Sequence, residues 1–177
     1  MKTLLATLLF AASALAQINP ALAQAQAACG PLNVHFDVQT FESLPTAGPE
    51  RDKALVYVVE DYRPAPGELL NPTLRVGLDG AWAGATRARS YIYFSVDPGE
   101  HHLCTNWQSS LKRLSRLIAL AHLTAQAGKT YYFRAHITYS PRGEGSADAS
   151  LDLLRVDPDE GRFLVTSSRL SKSHPKK

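Results

Sequence analysis

The sequence is short of the features that betray most function classes. Cysteine occurs twice in 177 residues, methionine only as the initiator, and aromatic residues make up 8%. The cysteines, Cys29 and Cys104, form no Cys-x-x-Cys pair, so the dithiol redox motif is absent. Lys and Arg exceed Asp and Glu by only three, 19 against 16, too few for the electrostatic footprint of a nucleic-acid-binding protein. Beyond the N-terminal segment no apolar run is long enough to span a bilayer, which excludes a polytopic membrane protein. The chain has no dinucleotide fingerprint, no phosphate-cradling loop, no Gly-x-Ser-x-Gly elbow and no internal repeat. What remains is an ordinary globular balance, 45% hydrophobic and 20% charged. Removing an export segment leaves about 150 residues, enough for one domain with a real core.

The N-terminus has the layout of a secretory signal peptide. Met1 and Lys2 form a basic start, residues 4–16 are apolar, and Ala14-Leu15-Ala16 and Ala21-Leu22-Ala23 are small-x-small sites. The expected signal peptide is residues 1–23, with cleavage after Ala16 as the alternative. The mature chain is then exported, to the periplasm or beyond, with no transmembrane span. A disulfide is the default for two cysteines in an oxidising compartment, so Cys29 and Cys104 are expected to be bridged. Lipid attachment at Cys29 is the competing use of that thiol. Gln26 stands three residues before it, where a lipidation site carries an aliphatic residue.

Period-two alternation marks the strands. Residues 130–139 set Tyr131, Phe133, Ala135, Ile137 and Tyr139 against Tyr132, Arg134, His136 and Thr138. Residues 89–96 set Ile92, Phe94 and Val96 against Tyr91, Tyr93 and Ser95. Residues 53–60 are apolar on both faces, the pattern of a central strand. Strand 73–78 ends in Asp79-Gly80, a strong hairpin signal, and returns as 81–86. The turn at Asp97-Pro98-Gly99-Glu100 feeds strand 101–107, and Ala127-Gly128-Lys129 makes a hairpin into strand 130–139. Segments 33–38 and 150–156 are further strands, and the Pro- and Gly-bearing stretches 40–51, 62–72 and 141–147 are loops. Residues 111–121 read either as a basic amphipathic helix or, preferred, as a basic loop running into strand 117–124. Asp157-Pro158-Asp159-Glu160 starts a short helix, with Pro just inside a capping Asp. The expected fold is mostly β: an antiparallel β-sandwich of about eight strands with one short C-terminal helix. Residues 24–52 supply an N-terminal strand and linker, 53–168 the sandwich, and 169–177 a basic tail that frays.

Chemistry is sparse. Adjacent His101 and His102 point to opposite faces of a strand and cannot share a metal. One of them with His122 or His136 remains an option that no spacing demands, so no metal and no cofactor are expected. Glu60 and Asp61 read as a strand end, and Asp157, Asp159 and Glu160 as a helix cap, rather than as the opposed carboxylates of a glycoside hydrolase. No catalytic residue stands out, and the protein is expected not to be an enzyme. Trp82, Trp107, Tyr91 and Tyr93, with Arg87 and Arg89 nearby, are the candidate binding residues, an exposed stacking face for sugars or peptides. The alternative is that these rings cover the sandwich edges.

Several short pieces carry a resemblance: residues 97–104 (DPGEHHLC), residues 127–134 (AGKTYYFR), Asp157-Pro158-Asp159-Glu160-Gly161, Val56-Tyr57-Val58 and Asp79-Gly80. Together, over residues 53–168, they resemble a family of exported bacterial proteins catalogued as a domain of unknown function, in the style of small PEGA-like β-domains. The resemblance implies a β-domain and no activity, cofactor or catalytic residue. The Arg-rich stretch 112–116 and the Pro-rich loop near Pro64 fall outside its pattern. The expected role is that of a non-enzymatic binding or structural accessory in the bacterial periplasm or cell envelope. Its partner would be an unidentified envelope protein or polymer, not nucleic acid. The alternatives are a hydrolase of envelope polymers, which would need two convergent carboxylates or a Ser-His pair, and a protein lipid-anchored through Cys29.

Overall fold

The computed structural model describes residues 27–42, 48–63, 70–141 and 147–176. The expected signal segment 1–23, and most of the loops around Pro45, Pro64 and Gly143, lie outside them. The chain forms β1 (Phe36–Phe41), β2 (Ala54–Glu60), β3 (Thr73–Leu78), β4 (Ala81–Arg87), β5 (Ser90–Val96) and β6 (Gly99–Gln108). A single 3₁₀ turn (Leu114–Arg116) precedes β7 (Ile118–Ala125), β8 (Thr130–Pro141) and β9 (Ala147–Val156). Helix α1 (Pro158–Thr166) and β10 (Arg169–Pro175) complete the chain.

Every residue of β2 is buried, as its two apolar faces require. It lies inside a six-stranded sheet of order β1-β10-β5-β2-β8-β9, which faces a four-stranded sheet of order β4-β3-β6-β7. Val56 and Val58 of β2 join Leu74, Val76, Leu103, Trp107 and Phe133 in the core between the sheets. Leu55, Tyr57 and Val59 face the other way and join Tyr91, Leu164 and Val165 in a second core beneath α1. The helix sits so close to the sheet that a Cβ on Gly161 would fall 2.2 Å from the Tyr132 ring; glycine is what lets it dock. Asp157 caps α1, its carboxylate accepting the backbone N–H groups of Asp159 and Glu160.

The mostly-β fold with one short helix is as expected; four details are not. Among the described residues there are ten strands rather than about eight, and the pairs β2–β8 and β5–β10 are parallel. The turn at 97–98 carries the chain from one sheet to the other, and so does that at 126–129, which is therefore not the expected hairpin. The second is drawn across by β2 itself: Gly128 N–H donates to Lys53 O at 2.8 Å and Leu55 N–H to Lys129 O at 2.9 Å. Residues 169–175, expected to fray, form β10 between β1 and β5. Their polar composition hid a strand whose hydroxyls are used internally, Ser171 Oγ lying 2.6 Å from Ser90 Oγ. In residues 111–121 the loop-and-strand reading holds and only the 3₁₀ turn is helical. The Asp79-Gly80 hairpin is present, with both residues at positive φ, 49° and 86°.

Residues 27–34 cross the outer face of the four-stranded sheet as a strap, bonded by the Cys29–Cys104 disulfide. Gly77 and Gly80 leave room for its backbone: a Cβ on Gly77 would meet Ala28 O at 2.8 Å, and Gly80 N–H donates to the same oxygen. Trp82 Nε1 donates to Pro31 O at 2.8 Å. Arg75, only 2% exposed, donates through Nη1 to Leu32 O and Val34 O at 2.7 Å each. Its Nε and Nη2 both donate to Asn106 Oδ1. The bridge closes 75 residues, for which chain entropy alone is worth about 4 kcal/mol. Cys104→Ser should therefore lower the melting temperature by about 10 °C. An unchanged melting curve, with two reactive thiols in the native wild type, would refute the bridge.

One carboxyl is sealed in the main core. Glu60 is fully buried; Thr86 Oγ1 donates to its Oε2 at 2.7 Å, while Oε1 has no partner among the described residues. Burial pushes its pKa up to about 8, opposed in part by the Thr86 hydroxyl. The folded state thus keeps this proton after the unfolded chain has lost it. Its contribution is intact below the ordinary glutamate range and is lost as pH rises through about 8. Across that window the loss runs at roughly 1.4 kcal/mol per pH unit. Glu60→Gln should match wild type near pH 5 in urea unfolding and exceed it at pH 9. Parallel pH profiles for the two proteins would contradict this account.

Candidate functional site

The clearest concave site lies beside the second core, where the end of β2, the outward face of β8 and the first turns of α1 meet. Parallel pairing sets Glu60 of β2 against Ala135 of β8, so Asp61 emerges beside Arg134 and His136. Its N–H still bonds to Ala135 O. Arg134 and His136 are two residues apart on β8 and therefore share the face that looks toward the helix. The Asp157 cap fixes the start of α1 and with it Glu160 in the first turn.

These four side chains form one network. Arg134 Nε pairs with Asp61 Oδ2, and Arg134 Nη1 reaches Glu160 Oε1 at 3.5 Å. His136 Nδ1 lies 2.9 Å from Asp61 Oδ1. The Asp61 side chain is only 11% exposed, against 34% for Arg134, 40% for His136 and 41% for Glu160. The carboxylate is thus the shielded anchor and the other three form the rim. They open on a groove of about 760 Å³, also lined by Arg63, Tyr139 and Phe163. Phe163 is 65% exposed, a large apolar ring left at the mouth.

The chemistry open to this arrangement is limited. A carboxylate on Nδ1 orients an imidazole as in the supporting half of a hydrolytic triad; among the described residues the groove lining includes Thr138 but neither serine nor cysteine. Asp61 and Glu160 do converge, yet both bind the same guanidinium. They share one role rather than taking the opposed roles of proton donor and nucleophile. A closed charge network beside an exposed aromatic ring suits recognition.

The aromatic residues expected to form a binding face are dispersed. Trp107 is 2% exposed in the main core, edge-on to Tyr139, and Tyr91 is fully buried in the second core. Trp82 lies on the outer face of the four-stranded sheet, over the Arg75 guanidinium and bonded to the strap. Tyr93 is half-exposed beside Tyr57 on the six-stranded sheet. They do not share a surface, because their strands belong to different sheets or turn them inward. The cysteines do come together, as the bridge. By sequence Asp61 read as a strand end, Glu160 as part of a helix cap, His136 as an optional metal ligand and Arg134 as one of a polar strand face, and Phe163 was not singled out. The available signal was the polar set Arg134-His136 on a strand that pairs with the two-faced β2: a polar face on an inner strand has to be used for something.

The network predicts coupling between Asp61 and Arg134. Removing one partner strands a shielded charge, so Arg134→Gln and Asp61→Asn should each destabilise the fold by about 1–3 kcal/mol. The double variant should lose less than the sum, as measured in a urea double-mutant cycle. Strict additivity would show that the pair does not interact.

None of the curated proteins matches the chain. A family model described as a protein of unknown function, DUF2846, matches residues 50–147, more than half of the chain. The match takes in β2 to β8, including Asp61, Arg134 and His136, and stops before α1 supplies Glu160 and Phe163. It agrees with the resemblance seen in the turn and strand motifs, and the chain belongs to this family of unknown function.

Proposed function

We propose that this chain is an exported, non-enzymatic binding protein of the bacterial periplasm or cell envelope, and that the β8–α1 groove holds a segment of an envelope polymer. The groove carries the reading. It has a volume of about 760 Å³, is open to solvent, and is lined by an exposed aromatic ring next to arginine and histidine. A ring such as Phe163 offers a face on which sugars or apolar groups stack, and the Asp61–Arg134–Glu160 network holds hydrogen-bonding groups in fixed positions. Export is supported by the signal-like layout of residues 1–23 and by the disulfide, which belongs to oxidising compartments. No helix among the described residues is long and apolar enough to cross a membrane. Anchoring through Cys29 would compete with the bridge, because one sulfur cannot hold both bonds.

The test is co-sedimentation with isolated cell-wall sacculi, reading both retention of the protein and release of soluble fragments. Wild type should be retained and release nothing. Phe163→Ser, an exposed substitution that leaves the cores intact, should reduce retention several-fold. Release of fragments would establish the hydrolase instead, and equal retention of wild type and variant would remove the groove from the reading.

A further inference from the structure

The outer face of the four-stranded sheet holds a second constellation, far from the groove in the fold. His102 of β6 and His122 of β7 are direct partners in antiparallel register, so their side chains leave the same face side by side. The ring centroids are 5.3 Å apart and the planes are inclined at 63°. Two imidazoles bound to one tetrahedral ion through nitrogens at about 2.0 Å place their centroids about 5 Å apart. The observed spacing therefore fits a chelate without movement of the strands.

Three further observations point the same way. Glu100, two residues before His102 and on the same face, pairs with Nε2 of His122, which leaves Nδ1 of that ring for a metal. A carboxylate on the far nitrogen is the outer partner that metal-bound histidines usually carry. The two rings line a cavity of about 260 Å³ together with Ala28 and Leu120. The next residue pair on the same face of the ladder is Cys104 and Leu120, and Cys104 is bonded to the strap, so the backbone beneath the histidines is held. His101 takes no part: its Nδ1 lies 2.6 Å from Asp79 Oδ2 and its Nε2 lies 2.8 Å from Asp97 O.

We infer that His102 and His122 form a surface chelate for a divalent transition-metal ion. Among the described residues no three His, Cys, Asp or Glu side chains converge into a closed cage, so the protein supplies two nitrogens and water fills the remaining positions. An imidazole pair with open positions suits Cu(II) best, and Ni(II) and Zn(II) more weakly, by the ordinary order of ligand affinity. The site is exposed and shallow, which favours reversible uptake over a permanent structural ion.

The test is titration of the disulfide-intact chain with Cu(II) alone, followed calorimetrically and by paramagnetic resonance. The expected result is one ion per chain with two imidazole nitrogens. His102→Phe and His122→Phe should each weaken binding by tenfold or more, and Glu100→Gln by about tenfold. His174→Gln, on the other sheet, should leave it unchanged. Binding of the same strength in the double variant His102→Phe/His122→Phe would overturn the inference and assign the ion to the chain's amino terminus or to another histidine. A second measurement needs no variant: Cu(II) should protect His102 and His122 of wild type from diethylpyrocarbonate, mapped by mass spectrometry. Equal labelling with and without the ion would also overturn it.

Discussion

Strand β2 has no polar face, and the rest of the molecule is arranged around that constraint. A strand buried on one side needs a single layer of cover; one buried on both needs two. The four-stranded sheet covers Val56 and Val58, and α1 covers Leu55, Tyr57 and Val59. Because β2 also needs neighbours at both edges, it takes β5 in antiparallel and β8 in parallel register. The parallel partner cannot arrive through a hairpin, so the chain crosses between the sheets to reach it. The groove is a by-product of the same demand. It forms where β2 ends, β8 continues and the covering helix begins.

Charge is handled in two contrasting ways. Arg75 is enclosed without a carboxylate partner; carbonyl oxygens of the strap and of Asn106 take its donors, and burial pulls its pKa below the usual arginine value. Such a group sets geometry, because its planar fork is satisfied only when the strap lies in one place. Asp61, Arg134, His136 and Glu160 keep one edge in water. That network can exchange partners with a ligand at small cost, whereas the one around Arg75 cannot be disturbed without lifting residues 27–34.

Strand content, the buried central strand, the Asp79-Gly80 hairpin, the Asp157 cap and the cysteine pairing could all be read from residue pattern. Each is a local signal or, for the bridge, a matter of two cysteines with one way to pair. Two kinds of feature were not legible. The crossings between sheets depend on which strand each segment pairs with, and Ala127-Gly128-Lys129 makes an equally good hairpin or arch until Lys53 and Leu55 claim its backbone. The groove joins Asp61, Arg134 and Glu160 from separated parts of the chain, and alternation assigns each only to a face, never to a neighbour. Trp107 and Tyr91 failed as surface residues for a related reason. Alternation placed them on strand faces without showing that Trp107 of β6 points into the core between the sheets or that Tyr91 of β5 lies in the second core beneath α1.

The position of β10 has a consequence for how the chain is made. It is the element that joins β1 to β5 and the body of the sheet, with Phe36 set against Pro175. The six-stranded sheet therefore cannot close until residues 169–175 have been made. Contacts between sequence ends this distant are slow to form and are rewarded late. Until β10 is in place, β1 has no partner in its own sheet among the described residues and is held at Phe36 by the side chain of Gln108.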